Sequence, residues 1–80
     1  MNDYVATFHT HLAALQSSRT LTEQGALARL MPVPRKLSAS CGTCVSYRAA
    51  EPLLGAMDDD VEAVYRKTGR DSYELIRQYE

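Results

Sequence analysis

Cys41-Gly42-Thr43-Cys44 holds both cysteines of the 80-residue chain. In a chain with no export signal, this spacing points to redox or metal chemistry rather than a structural staple. Two intervening residues let both sulfurs reach one metal ion or close a small disulfide ring. Gly42 lets the backbone turn tightly and present Cys41. Arg35 and Lys36 precede the motif, Arg48 follows it, and no acid occurs between Glu23 and Glu51. Cations beside a thiol stabilise the thiolate and draw its pKa below the free value of ~8.5, so a reactive sulfur is expected at Cys41. The plainer alternative leaves those basic groups facing solvent. His9 and His11 add two imidazoles at i, i+2. With Cys41 and Cys44 they would make a Cys₂His₂ zinc set, although zinc-finger spacings are absent. The other reading makes each imidazole a proton relay for a thiol, with no metal and no cofactor.

These groups need elements to position them. Tyr4 to His9 is β-branched and aromatic and reads as a strand, open to burial on both faces. Thr10 suits the N-cap of a helix from His11 to about Gln24, with Ala14/Leu15, Ser18 and Leu21 inward and Gly25 in the left-handed position after it. Ala26 to Val33 alternates as a second strand. Pro32 and Pro34 end it and put its distal part at a sheet edge or in a loop. A polar loop over Arg35–Thr43 leads to a third strand, Val45–Ala49. Asp59 and Glu62 have the spacing of a capping box for a second helix, with Val61, Val64, Tyr65 and Thr68 as its stripe and Gly69 as its stop. Ser72 to Tyr79 reads as a last strand. The order βαββαβ predicts a ferredoxin-like α+β sandwich over residues 1–80, a four-stranded antiparallel sheet with two helices on one face. That topology places His9 and His11 at the same end as Cys41 and Cys44.

An apolar share of 45% supports one small domain and excludes wholesale disorder. A net charge of −1 excludes nucleic acid as the main partner. The first fifty residues are net positive and the remainder net negative, the latter fitting the acidic start of the second helix. Asp58-Asp59-Asp60 is read in that role and not as a metal site. The five tyrosines suit the core and sheet faces. No apolar run is long enough to span a bilayer and no signal segment opens the chain, so a cytoplasmic protein without a membrane partner is expected. Nucleophile elbows, phosphate loops and paired catalytic carboxylates are lacking.

Between Val5 and Tyr47 the phrases VATFHTHLAAL, ARLMPVPRKLSASCGTC and VSY resemble the selenium/sulfur carrier-like family of short bacterial proteins. Its pattern is a strand, a helix, a second strand ending in Pro-x-Pro (here Pro32-Val33-Pro34), and a Ser-rich stretch (Ser38-Ala39-Ser40) leading to Cys41-Gly42. The resemblance implies a cytoplasmic, non-enzymatic protein of selenium metabolism that carries sulfane sulfur or selenium on cysteine. The expected course is loading of Cys41 by a pyridoxal-phosphate cysteine desulfurase or selenocysteine lyase. Arg35 and Lys36 would hold the bound anion, His9 or His11 would shuttle protons, and an acceptor enzyme would receive the atom. Many members lack a second cysteine; this chain has Cys44, which could resolve the intermediate, form a disulfide or bind metal. Two other classes stay open, a zinc or thiol-redox module on the same cysteines, and an interaction domain whose sheet edge binds a partner or a second copy.

Overall fold

A computed structural model describes residues 1–79. Its elements are β1 (Asn2–Phe8), α1 (His11–Glu23), β2 (Leu27–Pro32), β3 (Thr43–Ala49), a 3₁₀ turn at Leu54–Ala56, β4 (Val61–Lys67) and β5 (Tyr73–Gln78). The strands form one sheet in the order β2-β3-β1-β4-β5, each neighbour antiparallel to the next.

β1 is central and buried on both sides. Tyr4, Ala6 and Phe8 face the core together with Val45, Tyr47, Val61 and Val64, beneath Ala13, Ala14 and Leu21 of α1. Val5 and Thr7 point to the other face and are also buried. The rings of Tyr4 and Tyr47 stack with centroids 5.2 Å apart, and the Tyr47 hydroxyl donates to the Pro52 carbonyl. The helix begins as its sequence predicts. Thr10 is extended at the N-cap and its Oγ1 accepts from Ala13 N at 3.2 Å, which satisfies one of the free amides of the first turn. Ser17 replaces the expected Ser18 in the buried stripe, and Leu15 is only half-buried. Alanine and serine on this face let the helix lie close on the sheet. Gly25 follows with φ +93°, where a side chain would be strained. β2 is an edge strand, and Pro32 ends it where a missing N–H does least harm.

The expected ferredoxin-like sandwich is overturned. Among the described residues there are five strands and one α-helix, and the segment read as a second helix is β4. A helix from the Asp59 cap to Thr68 would be too short to hold without strong packing. As a strand, the same residues pair with both β1 and β5 and bury Val61, Ala63 and Val64. Asp58 builds a turn instead of a helix cap: its Oδ1 accepts from Asp60 N at 3.0 Å and its carbonyl from Val61 N. Phe8 pairs with Val61 and Thr7 with Ala63, so Glu62 is an extra residue bulged out of the β1–β4 ladder.

The helix covers one face of the sheet. On the other, the β2–β3 loop reaches across to β4 and β5, where Lys36, Leu37 and Ser38 line a shared cavity with Tyr65, Tyr73 and Leu75. Residue 40 of this loop is tied to Glu62 of β4. The loop that carries the cysteine motif is therefore packed against the sheet.

Candidate functional site

Cys41 lies in the last turn of the β2–β3 loop, closed by Val33 N donating to the Gly42 carbonyl at 3.1 Å. Its side chain is half-buried. Sγ sits 3.3 Å from the carbonyls of both Phe8 and Thr43, at the edge where β1 ends and α1 begins. A thiol has one hydrogen, so it can satisfy only one of these acceptors at a time. Gly42 is exposed. Cys44 is different. It belongs to β3, opposite Thr7 of β1 and Met31 of β2, and is fully buried. Its nearest polar partner is the Pro32 carbonyl, 3.7 Å from Sγ. Burial, with a smaller contribution from Cys41, pushes the Cys44 thiol up to about 11. Both cysteines are free.

The two histidines flank this turn. His9 Nδ1 lies 3.2 Å from Ser40 Oγ and 3.7 Å from Glu62 Oε2. His11 Nδ1 lies 3.3 Å from Thr43 Oγ1. Each imidazole therefore stands on a hydroxyl to one side of Cys41, as the shared end requires. Glu62 accepts from Ser40 N at 2.7 Å and from Ser40 Oγ at 3.1 Å. The single hydroxyl hydrogen of Ser40 is thus committed to Glu62, so His9 Nδ1 carries the hydrogen that Ser40 Oγ accepts. In the neutral ring Nε2 is then the basic nitrogen. Asp60 extends the network, accepting from Thr10 Oγ1 through Oδ2 and from His9 N through its carbonyl. Ser40, His9 and Glu62 do not make a hydrolytic triad, because serine and carboxylate meet the same ring nitrogen.

The basic residues do not surround the sulfur. Arg35 and Lys36 are exposed beside a turn that Leu37 N closes onto the Pro34 carbonyl. Lys36 faces the cavity near Asp71 and Tyr73. Arg48 pairs with Asp3 at 3.0 Å, near the other end of β3. That pair holds the Asp3 carboxyl below its ordinary value, chiefly through the Arg48 hydrogen bond. The charged side chain that does reach the loop is Glu62, an acid. The alternative cysteine–histidine zinc set is not assembled either: among the described residues no group of three or more His, Cys, Asp or Glu could hold a metal ion.

Sequence reasoning placed His9 and His11 at the end that carries Cys41 and Cys44 but missed Glu62 and gave Ser40 and Thr43 no role. Glu62 was assigned to a helix start. The signal that could have found it is Val61-Glu62-Ala63-Val64-Tyr65, an acid within a run rich in strand formers.

No helix among the described residues is long and apolar enough to cross a membrane. A family model described as "Putative Se/S carrier protein-like" matches residues 3–66, from β1 through most of β4. No curated protein and no solved structure matches.

Proposed function

The chain belongs to the Se/S carrier protein-like family, and on that premise we propose that it holds sulfur or selenium on Cys41 as a persulfide or perselenide for delivery to an acceptor enzyme. The observation that carries the choice of residue is the contrast within the motif: Cys41 is half-buried at a sheet edge, and Cys44 is sealed in the sheet.

A pyridoxal-phosphate cysteine desulfurase or selenocysteine lyase suits the donor role. Deprotonated Cys41 Sγ attacks the outer chalcogen of the donor's persulfide or perselenide. A bond from Sγ to that atom forms, the donor's own bond to it breaks, and the donor cysteine leaves as a thiolate. The exchange is a thiol–disulfide type displacement with no net oxidation. The bases near Cys41 that could take its proton to solvent are His11, beside Thr43, and the free Nε2 of His9. The start of α1 at the same edge favours an anion there.

Cys44 is a poor resolving thiol in this setting. With its pKa near 11, roughly one molecule in ten thousand is ionised at neutral pH. Release therefore falls to a nucleophile of the acceptor, which takes the outer atom and leaves Cys41 as a thiolate. Arg35 and Lys36, exposed on the same loop, are available to an acidic partner surface and not to the sulfur.

Intact-mass spectrometry under non-reducing conditions tests the proposal after incubation with a desulfurase and cysteine, or a lyase and selenocysteine. Wild type and Cys44→Ser should each gain a chalcogen atom, and Cys41→Ser should gain none. An adduct on Cys41→Ser, or none on wild type with either donor, would reject it.

A further inference from the structure

We infer that Glu62 is the positioning residue of the cysteine loop, a clamp that holds Ser40 and so keeps the neighbouring Cys41 seated on the Phe8 carbonyl. Three observations carry this. Glu62 takes both polar hydrogens of Ser40, the amide at 2.7 Å and the hydroxyl at 3.1 Å, one on each carboxylate oxygen. It is the residue bulged from the β1–β4 ladder, and a bulge re-aims a side chain away from the regular alternation. Its side chain is only 21% exposed while Ser40 is exposed, so the rigid half of the contact is the sheet and the restrained half is the loop. Cys41 follows Ser40 directly, and its sulfur meets the carbonyl of Phe8, the residue paired with Val61 next to the bulge. The clamp and the seat therefore lie on adjacent strands and hold consecutive residues of the loop. His9 is the third member, its Nδ1 3.2 Å from Ser40 Oγ and 3.7 Å from Glu62 Oε2.

The consequence concerns presentation of the sulfur. With Ser40 held, Cys41 stays half-buried. Once those bonds break, the turn is free to lift the thiol from the carbonyls toward a partner's active site. This inference rests on Cys41 as the carrier thiol, but its readout needs no sulfur donor, so it can fail or succeed independently of loading.

The test is the rate of Cys41 alkylation by iodoacetamide in the native protein, with exchange of the Ser40 amide hydrogen measured alongside. Glu62→Ala removes both acceptors and should speed alkylation about three- to tenfold, the range expected for losing two partly exposed charge-assisted bonds. The Ser40 amide should exchange faster in step. Glu62→Gln keeps an acceptor for the amide and should stay within about twofold of wild type. Cys44 unlabelled marks an intact sheet. Should Glu62→Ala expose Cys44, Ser40→Ala decides: it keeps the amide bond and removes the hydroxyl's contacts with Glu62 and His9, and faster alkylation supports the clamp while an unchanged rate overturns it. Wild-type rates of alkylation and exchange in an intact Glu62→Ala, or a Glu62→Gln as fast as Glu62→Ala, would also overturn it.

Discussion

Two thiols three residues apart offer an internal comparison at constant sequence context. Cys41 meets solvent and two carbonyls; Cys44 meets the interior of the sheet. Limited alkylation of the native protein at pH 8 should therefore label Cys41 and leave Cys44 unmodified until denaturant is added, as peptide mapping would show. At that pH only about one Cys44 thiol in a thousand is ionised, before access is considered. Burial has a second consequence. The folded Cys44 pKa of about 11 lies above the ordinary value of 9.0, so the unfolded chain gives up this proton first. The contribution is fully present below about pH 9 and is lost as pH rises toward 11, on the order of 3 kcal/mol at most. Tyr47, raised by burial and by Tyr4 and Tyr79, acts in the same direction. Thermal melts of Cys44→Ser should fall less steeply than wild type between pH 8.5 and 10.5, with a residual slope from Tyr47; parallel slopes would mean that Cys44 ionises freely in the native state. The cysteine motif itself was plain in the sequence. The unequal burial of its two sulfurs was not, because it depends on Cys44 pairing with strands on both sides.

Elements with local signals were legible. Thr10 capping a helix, Gly25 ending it, and the prolines closing β2 each act within a few residues and each appear in the structure. The cap deserves a measurement because its hydroxyl also donates to Asp60, joining the start of α1 to the turn before β4. Thr10→Ala should cost about 1 kcal/mol and lower the melting temperature by about 4–8 °C in a domain of this size. A loss confined to the noise of the melt would show that the cap contributes nothing. β4 was misread for a specific reason. Val61, Val64, Tyr65 and Thr68 recur at helical spacing, and Asp59 with Glu62 imitates a capping box. A β-bulge at Glu62 breaks the two-residue alternation that would have revealed a strand, and the pairing that decides the matter comes from β1, more than fifty residues away. Losing β4 also lost Glu62 as a neighbour of the loop, so the error in the element became an error in the site.

At the scale of the molecule, the sheet has a helix on one face and the cysteine loop across the other, with β1 buried between them. The turn from β1 into α1 and the end of that loop meet at one edge, which is why residues 9 and 11 reach residues 40 and 43. This meeting was legible because it follows from strand direction alone. β5 lies outside the family match and shields the edge of β4. Removal of residues 70–80 should lower the melting temperature and promote association, read by light scattering, because β4 then presents unpaired backbone groups; a truncated chain that stays monomeric and equally stable would show that β5 is dispensable. Loading at Cys41 remains the claim on which the functional account turns. Its most direct measurement is fragmentation mass spectrometry of the peptide containing residues 41–44, taken from donor-treated protein after its free thiols are blocked. The account predicts the added sulfur or selenium atom on Cys41 and none on Cys44. The atom on Cys44, or a Cys41–Cys44 disulfide with no atom retained, would contradict it.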